Sequence, residues 1–264
     1  DLVLLKDPDA ATVRASIESL EARIAAETTE DDRTLIFVYY SGHADASDLH
    51  LGGSRFSLAE LKRRVTDSHA DLQLLVVDAC RAAELTRLKG ATPAEPFAIT
   101  VNNTSTQDGM AIITAAAPGE DAQESDRYQG GVFTHHFIAG LQGAADTSGD
   151  HLVTLNEAYS YSHARTLITT SSARQIQNPS KNFELRGQGE LVLTQLDGAR
   201  RVGYLSLTEP GTYVVFDPRG SAIFNELEAT AGARFALAEG TYLLRKRTPA
   251  RVYQTTISLS LIHI

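Results

Sequence analysis

The chain has 264 residues, 42% of them apolar and 22% charged, with a formal net charge of −9, a length that suits one large domain or one domain with a smaller module. No apolar run approaches the ~20 residues that span a bilayer, and a single cysteine excludes any intrachain disulfide. The charge is uneven: residues 1–188 carry −10 and residues 189–264 carry +1, which disfavours nucleic acid as a partner and favours basic substrates.

Taken in chain order, Leu2-Val3-Leu4-Leu5 reads as a strand. A helix follows over about 9–27, with Val13, Ile17, Leu20 and Ile24 on one face. A second apolar strand covers 34–40 and gives way to a polar loop. Ser57 and Glu60 then have the spacing of a capping box that opens a short helix. Strands over 72–78 and 110–115 flank a loop-like stretch, 84–109, that holds Pro93 and Pro96. Helices are expected over about 132–142 and 154–170. Continuous apolar strands between helices argue for an α/β domain with a mostly parallel sheet buried on both faces.

From about 189 the pattern changes to short strands at 191–193, 203–207, 213–216, 234–237 and 242–245, separated by Gly and Pro turns. Such spacing fits a small β-sandwich or barrel. The expected organisation is a domain over 1–188 and a β module over 189–258 that is cut short, with Gly187-Gln188-Gly189 at the junction. Asp1 opens inside an apparent strand without an initiator methionine, and residues 259–264 match a plausible translation of a sequencing adapter. The chain therefore reads as a fragment with an adapter-derived tail. A cytoplasmic location is favoured.

The chemistry concentrates in two segments. Leu35-Ile36-Phe37-Val38-Tyr39-Tyr40 runs into Ser41-Gly42-His43-Ala44, and Leu74-Leu75-Val76-Val77 runs into Asp78-Ala79-Cys80-Arg81-Ala82. A thiol and an imidazole at the carboxyl ends of buried strands are the parts of a cysteine nucleophile and its base. In open α/β sheets those ends face the ligand crevice. A lone buried cysteine and a loop histidine are the bland alternatives.

The two segments resemble the catalytic motifs of the caspase and metacaspase superfamily of cysteine peptidases, peptidase family C14, and the bacterial caspase-like branch most of all. The stretch from Ala115-Ala116-Ala117-Pro118-Gly119 to Gly130-Gly131-Val132-Phe133-Thr134 resembles the segment that lines the substrate groove in caspases. The resemblance implies Cys80 as nucleophile and His43 as acid and base, with an oxyanion held by the backbone N–H groups of Cys80 and Ala44. It also implies a caspase-like sheet whose first βα unit is absent from this chain. The family usually has glycine where Ala44 stands and a small residue followed by glycine where Ala82-Ala83 stand, so the Ala44 methyl is expected to crowd the groove.

An aspartate two residues before the cysteine faces a basic P1 side chain in metacaspases, and Asp78 occupies that position. Together with Glu120, Asp121 and Glu124, and with Asp126 nearby, it suggests cleavage after Arg or Lys. Arg87 and Lys89 are candidates for self-cleavage. No cofactor is required by this chemistry. Asp146, Ser148, Asp150 and Glu157 resemble positions one, three, five and twelve of an EF-hand loop and are candidate Ca²⁺ ligands, with His151 where glycine belongs. His135 and His136, adjacent on a helix, make a poor metal pair. The expected function is a cysteine endopeptidase acting on polypeptide substrates. The alternative is a catalytically inactive caspase-fold scaffold that binds a partner protein through the β module.

Overall fold

A computed structural model of the chain describes residues 2–29, 32–45, 47–81, 108–117, 120–173, 175–196, 202–229 and 232–260. These residues form two compact units, one from the described residues of 1–122 and 177–189, the other from those of 123–176 and 190–260. In chain order the first unit contributes α1 (Ala10–Glu27), β1 (Leu35–Ala44), β2 (Asp48–Leu51), β3 (Ser54–Ser57), α2 (Leu58–Thr66), β4 (Leu72–Arg81) and β5 (Asp108–Thr114). The second contributes β6 (Glu124–Ser125), β7 (Gly130–Gly131), α3 (Val132–Ala139), a π-helical turn (Gly140–Ala144), β8 (Leu152–Thr154) and α4 (Leu155–Thr170). β9 (Ser180–Arg186) belongs to the first unit again. The second unit then holds β10 (Val192–Gln195), β11 (Val202–Ser206), β12 (Gly211–Phe216), β13 (Ile223–Ala229), β14 (Arg234–Ala238), β15 (Gly240–Arg247) and β16 (Val252–Leu259).

The first unit is built on a six-stranded sheet in the order β3-β2-β1-β4-β5-β9. β1, β4 and β5 run parallel, while β2, β3 and β9 are antiparallel to their neighbours. The sheet is therefore mixed, with a parallel centre. Alternate residues of the central strands serve two different layers. Ile36, Ala44, Leu75, Val77 and Met110 join Ile17 of α1 and Leu61 and Val65 of α2 in one apolar core. Leu74, Val76, Ala111 and Ile113 lie on the opposite face and are fully buried. Burial on both faces explains why these strands read as unbroken apolar runs.

Three expectations need correction here. Residues 2–5 form no strand: Leu2 and Leu4 are 71% and 79% exposed. An apolar tetrapeptide is not a strand without a neighbour to satisfy its N–H and C=O groups. The polar stretch after His43 is instead a β-hairpin, β2–β3, turned by Gly52 and Gly53 with φ of +42° and +80°. Left-handed backbone at both central positions is the geometry that glycine tolerates best. Ser57 caps α2 by accepting the Glu60 N–H, but the Glu60 carboxylate turns away to Arg14 and Arg64, so only half of the capping box forms.

In the second unit α3 packs on α4, and Phe133 and Phe137 of α3 and Leu155 and Ala158 of α4 are buried. The sheets β13-β12-β15-β16 and β11-β14 enclose Leu207, Tyr213, Val215, Leu227, Phe235 and Leu237. This is a small sandwich-like arrangement, with β13 and β16 added to the strands expected. It is bonded to the helical part of its own unit: the Tyr161 hydroxyl donates to the Glu226 carbonyl at 2.9 Å, and the Asn225 amide donates to Gln142 at 3.1 Å. The boundary between the units near the carboxyl end of the first falls at Gly189. Leu259, expected in the tail, pairs with Gly240 in β16, and residues 261–264 lie outside the described residues.

Candidate active site

β1 and β4 are adjacent and parallel over their whole length, from Leu35 beside Leu72 to Ala44 beside Arg81. In that register His43 and Cys80 are Cα partners. Neighbouring strands lie about 4.8 Å apart, and partners in a parallel ladder share a face. Position 80 therefore falls beside the imidazole-bearing position at the carboxyl end of the sheet. His43 is exposed, as a residue that must meet substrate requires.

The peptide around His43 is held from the other side of the sheet. Tyr40 lies on the face of the helix-covered core, and its hydroxyl donates to the His43 carbonyl at 2.7 Å. The His50 carbonyl of β2 is 3.4 Å from the same hydroxyl. Burial pushes Tyr40 up to about 12, so it stays protonated. One residue beyond Ala44, Asp45 ties down the hairpin: its carboxylate accepts from the Ser47 and Asp48 N–H groups at 2.9 Å, from Arg55 at 2.7 Å, and pairs with His50 Nε2 at 2.9 Å. The His50 bond first, then the two backbone donors, hold Asp45 well below the usual carboxylate range. Tyr40, Asp45, His50 and Arg55 were not singled out in the sequence. The alternation Leu49-His50-Leu51-Gly52-Gly53-Ser54-Arg55-Phe56 was the available hairpin signal.

The Ala44 side chain belongs to the apolar core, with 6% exposure, on the face opposite His43. Its methyl does not enter the face that carries His43, which corrects the expected crowding.

The sequence matches a family model described as a caspase domain over residues 1–187. The chain belongs to the caspase-domain family of peptidases, C14. Among solved structures it is similar to caspase-1 from Spodoptera frugiperda, with 14% identity and a TM-score of 0.47, covering 71% of this chain and 73% of that one. A structure of pro-sf-caspase-1 aligns at 12% identity and a TM-score of 0.42, covering 69% of this chain and 71% of that one. No curated protein matches.

Within this caspase domain the four residues expected to meet a basic P1 side chain are differently placed. Asp78 is 3% exposed and is the Cα partner of Ser41, two positions before Cys80 along β4. Glu120 is taken up structurally, since its two oxygens accept from the Asn178 backbone N–H at 2.9 Å and from its side-chain amide at 2.8 Å. Asp121 is half-buried in the first unit, while Glu124 is exposed in β6 of the second unit, opposite Gly131. Arg87 and Lys89 lie outside the described residues.

In the Asp146–Glu157 loop His151 has a φ of +65° where glycine was expected. Its carboxylates accept hydrogen bonds within the loop and from the N-cap of α4. Asp146 accepts from the Gly149 N–H at 2.7 Å and the His151 N–H at 3.1 Å, and Asp150 from the Leu152 N–H at 2.9 Å. Glu157 accepts from Thr147 and from the Thr154 N–H, closing a full capping box on α4. Among the described residues no group of three or more His, Cys, Asp or Glu could hold a metal ion. No helix among the described residues is long and apolar enough to cross a membrane.

Proposed function

We propose that this caspase domain is a cysteine endopeptidase working through His43 and Cys80. The observation that carries the reading is their register: Cα partners at the carboxyl ends of adjacent parallel strands. A free thiol has a pKa of about 8.5, so attack at neutral pH needs an adjacent base. In the proposed cycle His43 takes the thiol proton as the sulfur bonds to the peptide carbonyl carbon. The oxygen that gains negative charge is met by the N–H groups of Ala44 and Cys80. Imidazolium then gives the proton to the leaving amine as the C–N bond breaks, leaving a thioester, and water activated by His43 hydrolyses it.

For specificity we propose cleavage after Arg or Lys, with Asp78 as the acidic determinant. A buried carboxylate two residues before Cys80 makes a stronger pair with a desolvated cation than an exposed one. Glu120 is not part of that determinant, because Asn178 already occupies it. Burial of the Ala44 methyl in the core favours this reading over the inactive scaffold, for which groove crowding was one motive.

The test is labelling of the protein with an arginyl or lysyl chloromethylketone, alongside peptides carrying Arg, Lys or Asp at P1. Turnover of the Arg and Lys peptides and labelling are expected, and Cys80→Ala and His43→Ala lose turnover by at least about 10³-fold. Turnover that survives Cys80→Ala overturns the dyad. Turnover of the Asp peptide alone overturns the specificity and leaves the dyad standing.

A further inference from the structure

We propose that the outer face of the sheet β13-β12-β15-β16 is a binding groove for an acidic peptide, one in which a Glu or Asp side chain lies beside an apolar one. β12 carries the first sign of it. Tyr213 and Val215 of that strand belong to the apolar core of the second unit, with Leu227 of β13. The residues between them, Val214 and Phe216 among them, therefore stand on the opposite face. A strand with one solvated face is expected to alternate apolar and polar residues, yet β12 is apolar on both. Val252 of β16, the Cα partner of Arg247, adds an apolar side chain that is 61% exposed. These three residues floor a groove of about 400 Å³, within the size range of ligand sites.

The charges around that floor are mostly arginines. Val214 has Glu226 as its Cα partner on β13 and Arg245 on β15. Arg247 lines the groove two residues beyond Arg245, and Arg127 reaches it from the turn between β6 and β7. Glu226 is the one carboxylate in the lining, and it is already shared, since Arg127 and Arg165 each stand 3.4 Å from one of its oxygens. Arg245 has a neutral partner instead: its Nε and Nη2 donate to the Gln254 amide oxygen at 3.3 and 2.9 Å. Its guanidinium also lies over Phe216, 4.8 Å from the ring centroid. The Arg247 side chain has no ion pair or hydrogen bond among the described residues. A planar cation held over an aromatic ring, with a second cation beside it and an apolar floor below, suits a carboxylate on an apolar-flanked peptide. A nucleic-acid backbone suits it less, because its phosphates would pass Glu226 and the chain carries −9 overall. The groove lies wholly within the second unit, so the inference stands apart from the dyad reading.

The experiment follows the fluorescence anisotropy of a fluorescein-labelled peptide of alternating Glu and Leu, titrated with the full chain. The chain carries Cys80→Ala so that the peptide stays intact. A Kd on the order of 10–100 μM is expected, the strength of a ligand that buries about twenty non-hydrogen atoms. The same peptide with Gln in place of Glu is expected to bind at least about tenfold more weakly, and so is the Glu peptide when Arg245→Gln and Arg247→Gln are combined. Val252→Glu sets a like charge at an exposed position of the groove, is expected to weaken binding by a similar factor, and serves if the double arginine variant does not fold. Arg219→Gln, at an exposed turn outside the groove, is expected to keep the parent's affinity. Absence of binding at about 1 mM protein overturns the inference. Equal affinity for the Glu and Gln peptides does so too, as does unchanged affinity in the double arginine variant or in Val252→Glu, or an equal loss in Arg219→Gln. A single-stranded oligonucleotide that binds more tightly than the peptide, and is released by the same groove substitutions, would overturn it by assigning the groove to polyanions.

Discussion

At the residue scale, one carboxylate of the first unit holds two arginines. Glu60 accepts from Arg14 at 2.8 and 2.9 Å and from Arg64 at 3.0 Å, linking α1 to α2 across the core. Arg14 also lies over the fully buried Phe56, 5.1 Å from the ring centroid. Arg14 first, then Arg64, draw Glu60 down to about 2. A carboxylate with a depressed folded pKa stabilises the fold above its unfolded pKa and loses that contribution as pH falls through the folded one. Glu60→Gln is therefore expected to be less stable than the parent at pH 7, by on the order of 1 kcal/mol given its partial exposure. Denaturant titrations at stepped pH check it: the gap should close between about pH 4.5 and pH 2, and a constant gap would show that packing and not charge is lost. The sequence showed Ser57 and Glu60 at capping spacing but not this use of Glu60, because the arginines that claim it arrive through tertiary packing.

At the scale of elements, legibility followed how local the determinant is. α1 and α4 were readable because cap and apolar face lie in one segment: Asp9 accepts from the Thr12 N–H, and Thr154 and Glu157 close a reciprocal box. β9 was missed because Ser180–Arg186 alternates exposed and half-buried residues, and only its pairing with β5 makes it a strand. In the acidic loop before α4 the carboxylates accept from the loop's own N–H groups, a use that the sequence motif alone did not show. Thr154→Ala is expected to cost about 1 kcal/mol in denaturant unfolding, the usual worth of an N-cap side chain. Asp146→Ala should cost about 1–3 kcal/mol, because its side chain is only 6% exposed and its loss strands the Gly149 and His151 N–H groups. Millimolar Ca²⁺ is expected to leave the melting temperature unchanged. A rise of several degrees that disappears in Glu157→Ala would show that the loop binds the ion.

At the scale of the whole molecule, the response of the second unit to mild acid centres on two histidines of α3. The sequence showed His135 and His136 only as a poor metal pair, since their burial depends on α4 and on the segment before β7. His136 has no exposure, and its Nε2 pairs with Thr169 Oγ1 at 2.9 Å. His135 stacks on Tyr128 with centroids 3.9 Å apart. His135 Nε2 and His136 Nδ1 are buried without a hydrogen-bond partner, and Arg127 and Arg165 are the neighbouring charges. Burial first, then neighbouring positive charge, lowers His135 to about 4 and His136 to about 3. In the unfolded chain both titrate near 6.5. The unfolded state therefore binds more protons at mildly acidic pH, and stability falls as pH drops below about 6.5 toward the folded values. The slope approaches about 1.4 kcal/mol per pH unit for each histidine. Amide exchange of α3, corrected for intrinsic rates, is expected to speed up steeply from pH 6.5 to pH 4.5. His135→Gln/His136→Gln should exchange faster at pH 7.5, having lost packing, yet lose most of that pH dependence. An equally steep profile in the double variant would assign the acid sensitivity to carboxylates elsewhere, because the two imidazoles are the groups in α3 whose charge changes in that window.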